Sequence, residues 1–146
     1  MFVNAVVGAI GEKVPWWWIL LDNCSTVNLF KSKIFLQDIH KCDEELTVYS
    51  NGGSLTTRYK GTLPGFGKVW YSPDAIANIL RFSLVFKKFD IDLDKEKNSF
   101  IVHGKNHKLE FKNNGGSLYH YDTTNKIQPK SVNKNVLRRF HSQSQE

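Results

Sequence analysis

The chain has 146 residues, 40% of them hydrophobic, and carries 20 Lys and Arg against 14 Asp and Glu, for a formal net charge of +6. Such a length fits one domain of about 100–200 residues with enough apolar content to bury a core. The apolar runs stay well short of the roughly 18 residues of a membrane-spanning helix, and two cysteines, Cys24 and Cys42, supply no disulfide framework.

An isoelectric point near 9.3 is compatible with acidic partners, but net charge governs solubility and non-specific association rather than fold. Much of the excess lies near the C-terminus. The apolar opening, Phe2 to Ile10, has no basic region ahead of it, so the sequence reads as an intracellular, cytoplasmic chain rather than a secreted one.

In chain order, residues 1–13 read as an N-terminal extension in which Gly8 and Gly11 bracket a turn. The folded domain is expected over 14–122. Its first strand is Val14 to Leu21, and "KSKIFLQDI" (Lys31 to Ile39) has apolar residues at mixed spacing, a helical turn or a loop. Leu46 to Tyr49 is a strand, "SNGGS" (Ser50, Asn51, Gly52, Gly53, Ser54) a hairpin tip, and Leu55 to Tyr59 the returning strand. The glycine-dense "KGTLPGFG" (Lys60 to Gly67) should turn the chain into a further strand, Lys68 to Tyr71, which Ser72, Pro73 and Asp74 break.

One short helix is predicted. "FSLVFKKF" places Phe82, Val85, Phe86 and Phe89 at i, i+3, i+4 and i+7, the spacing of a single apolar face. Beyond it Asp90 to Leu93, Phe100 to His103, Leu109 to Phe111 and Leu118 to Tyr121 alternate with turn-rich segments, the pattern of a β-meander. Residues 123–146 turn to Asn, Lys, Gln and Ser and read as a basic polar tail or linker. Its cations within 126–141 (Lys126, Lys130, Lys134, Arg138, Arg139 and His141) suit weak, non-specific contact with phosphates. The fold class that results is mostly β.

Chemistry concentrates at "WWWILLDNCSTVNLF", where an apolar strand ends in a carboxylate, Asp22, followed by Asn23, Cys24, Ser25 and Thr26. An acid at the inner end of a buried strand is costly unless hydrogen bonds or chemistry make use of it. Taken with the glycine-tipped hairpin, the passage "GTLPGFGKVWYSPDAIANIL" and the helix after it, this order resembles the retropepsin-like aspartic proteases of copia-type retrotransposons. The likeness covers roughly Trp18 to His103.

The resemblance implies an acid-protease barrel with a flap hairpin and one short C-terminal helix, acting as a homodimer that processes its own polyprotein without a cofactor or metal. Each chain would supply one catalytic Asp, here Asp22. Two facing carboxylates cannot both ionise cheaply, so such a pair shares a proton. One then activates a water as general base while the other polarises the scissile carbonyl. Against the family pattern D-[ST]-G-[SA], Ser25 matches the last position, its hydroxyl placed to bond the carboxylate. Asn23 stands where Ser or Thr is usual, Cys24 replaces Gly, and Arg81 follows "NIL" where a small residue is usual. Ser50 to Ser54 would be the flap that closes over an extended peptide, donating backbone N–H groups to it.

Other constellations have less behind them. His40, Cys42, Cys24 and His103 lack the spacing of a zinc site, and no local signature makes Cys24 a nucleophile. The triple Trp16, Trp17, Trp18 suits core or subunit packing.

Overall fold

The computed structural model describes residues 2–6, 14–50, 53–104, 107–113 and 118–124. Short β-branched and aromatic runs become strands: β1 (Phe2–Val6), β2 (Trp18–Asp22), β3 (Leu29–Phe30), β4 (Gln37–Ser50), β5 (Gly53–Leu63), β6 (Gly67–Tyr71) and β7 (Asn78–Arg81). A helix, α1 (Phe82–Lys88), is followed by β8 (Asp90–Asp94), β9 (Ser99–His103), β10 (Lys108–Asn113) and β11 (Tyr119–Asp122). A single 3-10 turn, Lys33–Phe35, buries Phe35 between β3 and β4.

These strands form one sheet in the order β1-β4-β5-β6-β3-β7-β2-β11-β10-β9-β8. Among the described residues the sheet is open, with β1 and β8 as its edges. The centre is the informative part. β2 and β3 are consecutive in the chain, yet β7 lies between them, parallel to β2 and antiparallel to β3. A late strand thus locks the two ends of the Asp22 loop side by side.

The main core gathers Ile19, Leu21, Phe30, Phe35, Leu63, Phe66, Val69, Leu80, Val85, Val102, Leu109, Phe111 and Tyr121 from both halves of the sheet. Each fully buried Leu, Ile, Val or Phe contributes about 1.5–3 kcal/mol. The meander β8–β11 is joined to the rest through β11, whose Tyr119 pairs with Leu21 and whose Asp122 pairs with Trp18.

Several boundaries differ from the sequence expectation. β2 starts at Trp18, because Trp16 and Trp17 form a turn closed by the Trp18 N–H on the Pro15 carbonyl at 3.1 Å. β4 and β5 run on to Gln37 and Leu63, well past the predicted Leu46 and Tyr59. The extra length is polar, held by ladder hydrogen bonds and interrupted by register shifts between Gln37 and His40 and between Lys41 and Leu46. Gly61 consequently lies within a strand, where a Cβ would come 3.0 Å from Ile39 Cγ1 and 3.1 Å from Leu36 Cβ.

In α1, Val85 is buried but Phe86 is 60% exposed, stacked on Phe82 with ring centroids 6.1 Å apart. The apolar face is therefore narrower than its spacing suggests. At the ends, part of the 1–13 extension is a strand of the sheet. Thr123 and Thr124 are buried too, Thr123 Oγ1 donating to the Trp17 carbonyl at 2.7 Å and Thr124 Oγ1 to Asp122 Oδ1 at 2.6 Å. The predicted turn at Gly8 and Gly11 and the basic stretch 126–141 lie outside the described residues.

Candidate active site

β2 carries Ile19, Leu20 and Leu21 into the interior and delivers Asp22, 3% exposed, at its C-terminal end. Burying a carboxylate demands hydrogen bonds. One comes from the loop itself, since the Cys24 N–H donates to Asp22 Oδ1 at 2.8 Å. Such an Asx-type bond tightens the chain immediately after the strand. Asn23, Cys24 and Thr26 face solvent, while Ser25 is buried.

The Ser25 hydroxyl does not follow the sequence expectation. It donates to the Val27 carbonyl at 2.7 Å and accepts the Val27 N–H at 3.2 Å, so it closes the loop on itself. Neighbouring strand β7 does the rest. Arg81 is the register partner of Asp22; its N–H donates to Asn28 Oδ1 at 2.7 Å, and its guanidinium reaches the Thr26 carbonyl at 3.5 Å. The bulky residue after "NIL" thus spans the loop and ties its far side to β7.

Below the loop lies a residue that sequence reading missed. Asn78, fully buried at the start of β7, accepts the Lys31 and Ser32 N–H groups on Oδ1, both at 3.0 Å. Its Nδ2 donates to the carbonyls of Trp16 at 2.7 Å and Trp18 at 2.9 Å. One amide therefore joins the entry of β2, the exit of β3 and the start of β7. The available signal was a polar residue opening the otherwise apolar "NIL" strand.

The hairpin β4–β5 arches beside this floor. Its stem and tip, with Leu29, Asp74, Ile76 and Ile79, line a half-open cleft of about 470 Å³. Of the predicted flap residues, Ser50, Gly53 and Ser54 line it, while Asn51 and Gly52 lie outside the described residues. Ile79 is the register partner of Leu20, two positions from the Asp22–Arg81 pair, so the cleft abuts the strands that hold the carboxylate. Gly53 has φ +129°, a conformation that suits glycine.

Elsewhere the reactive side chains are dispersed. Among the described residues no three His, Cys, Asp or Glu converge on a common point. Cys42 Sγ donates to the Arg58 carbonyl at 3.0 Å, His103 Nε2 meets Asp92 Oδ2 at 2.8 Å, and the His120 ring stacks on Trp18 at 3.7 Å. No described helix is long and apolar enough to cross a membrane. Comparison with models of known families, with curated proteins and with solved structures finds no match to this chain.

Proposed function

We propose that the chain is one half of a retropepsin-like aspartic endopeptidase, completed by a second copy, that cleaves extended segments of its own polyprotein. The observation that carries this reading is the setting of Asp22. A buried carboxylate ends a strand that runs parallel to β7, accepts the N–H of the second residue after it, and lies on a floor beside a hairpin-lined cleft. The insertion of β7 between β2 and β3, followed at once by α1, supports the same reading. In this account the open sheet is a protomer of an acid-protease barrel, and Ser50 to Ser54 form its flap.

With one such Asp per chain, the reaction needs two protomers. The shared proton leaves one carboxylate to deprotonate the attacking water and the other to donate toward the carbonyl oxygen. Leu20, Leu21 and Leu80 supply the low-dielectric wall that strengthens these interactions.

One feature favours a second reading, a protease fold without chemistry. Cys24 places an exposed thiol where the family pattern has Gly, and a side chain there occupies space that a substrate backbone would approach. Incubation with an extended-peptide library at pH ~4–6, read by mass spectrometry, separates the two. The endopeptidase reading requires internal cleavage that Asp22→Asn abolishes while sedimentation still reports a dimer. A dimer that cuts nothing supports the silent fold, and a chain that stays monomeric removes the basis for a two-carboxylate site.

A further inference from the structure

The edge of the hairpin nearest its tip already holds an extended peptide, and that peptide is the chain's own N-terminal segment. β1 runs parallel to β4 with Val3 opposite Leu46, Ala5 opposite Val48 and Val6 opposite Tyr49, one residue short of Ser50. Ala5 is buried in a cluster with Val27, Leu29, Leu46, Val48, Trp70 and Ala75, and Val3 packs against it. Leu29 and Val48 also line the cleft beneath the hairpin. Asn4 faces solvent, as does Phe2 at 73% exposure.

This is strand addition, in which ladder hydrogen bonds give affinity and alternate side chains give selectivity. We propose that the outer edge of β4 is a peptide-receiving edge, and that Phe2–Val6 is a strap that occupies it in cis. The ligand that displaces the strap is an extended peptide with small apolar residues at two alternate positions, as Val3 and Ala5 are. As a statement about regulation and substrate class, the inference rests on the endopeptidase reading. As a statement about peptide binding, it is separately measurable.

The strap is built to be displaced. It makes a five-residue ladder with β4, buries Ala5 alone among its described side chains, and leaves its largest residue, Phe2, exposed. Residues 7–13, with Gly8 and Gly11, tether it to the domain. A short tether gives an effective concentration of about 1 mM. A strap whose own sequence binds the open edge with a Kd of about 100 μM is then closed about ten times as often as open, so any free peptide binds about tenfold more weakly than it would to an open edge.

Full-length variants test this with a fluorescein-labelled peptide of sequence FVNAV, read by anisotropy. Ala5→Asp puts a charge into the apolar cluster and expels the strap. Asn4→Cys with Thr47→Cys joins two register partners and locks the strap when oxidised, without altering the core. The strap account requires about tenfold tighter peptide binding by the Ala5→Asp chain than by the wild type. It also requires lost binding in the oxidised double-cysteine chain that reductant restores, with the wild type under the same reductant as control.

Should Ala5→Asp fail to fold, the oxidised and reduced states of the locked chain decide alone, and equal binding by the two overturns the inference. Graded binding with no cleavage in any variant upholds the strap and rejects the endopeptidase. Cleavage that depends on Asp22 but is the same in locked and released chains upholds the endopeptidase and overturns the strap's regulatory role, while the anisotropy decides whether the edge receives peptides.

Discussion

Around Asn78 and Asp22 the backbone of three strands is held by buried side-chain amides and a carboxylate. The β4–β5 hairpin instead is held by backbone ladders, its own and those with β1 and β6, by buried Leu46, Val48 and Leu63, by half-buried ion pairs and by one close glycine contact. The floor spends its polar groups on fixing where the C-terminal end of β2 lies. The hairpin keeps few buried polar anchors and carries a positive-φ glycine at its tip. On the endopeptidase reading, side-chain anchoring of the floor and backbone anchoring of the hairpin suit a peptide-clamping site, in which the hairpin tip opens while the carboxylate stays in place.

The floor is most vulnerable at Asn78. Asn78→Leu keeps the branching and heavy-atom count but strips partners from the Lys31 and Ser32 N–H groups and from the Trp16 and Trp18 carbonyls. Orphaned buried groups cost about 1–3 kcal/mol each, so with partial rehydration urea unfolding should show a loss of about 4 kcal/mol. Cleavage should disappear with it. A loss below about 1 kcal/mol would mean that the amide does not organise the floor.

Gly61→Ala probes the base of the hairpin. The added methyl meets Ile39 and Leu36 at 3.0–3.2 Å, and overpacking of this kind costs about 1–3 kcal/mol. The predicted outcome is destabilisation smaller than that of Asn78→Leu. Equal or greater destabilisation would place the more demanding packing in the hairpin rather than the floor.

The smallest effect belongs to the half-buried surface pair of Glu44 and Lys60, whose Oε1 and Nζ are 2.7 Å apart, with Lys60 also over the Trp70 ring at 4.4 Å. The hydrogen bond and charge of Lys60 hold the Glu44 carboxyl below its ordinary value of 4.5. A lowered folded-state value stabilises the protein above the unfolded-state value, and that contribution is lost as pH falls through the folded one. Glu44→Gln should therefore lower Tm slightly at neutral pH, with the difference shrinking to nothing in acid. A difference that persists in acid would assign the effect to packing.

What could be read from the sequence follows the same division. The turn at Asp22 and its polar loop are legible because a carboxylate ending an apolar run must find hydrogen bonds, and the Cys24 N–H supplies one. The hairpin tip is legible because Asn and Gly at fixed positions announce a turn. The polar length of β4 was hidden, since ladder bonds between solvated strands leave no hydrophobic alternation. Asn78 was hidden because its role depends on segments 46 and 60–62 residues away in sequence. β1 was missed as a strand because its partner, β4, lies some forty residues on, and the exposure of Phe86 shows that helical spacing counts candidate core positions without showing what covers them.

Mixing wild-type chains with Asp22→Asn chains at fixed total concentration shows whether the site is assembled from two identical floors. The chains are first allowed to exchange partners, and cleavage rate is then measured against composition. Random pairing with both carboxylates required predicts a rate that follows the square of the wild-type fraction, about one quarter of full activity at equal proportions. A linear decline, to about one half, would mean that each chain acts with its own Asp22 alone and would contradict the account.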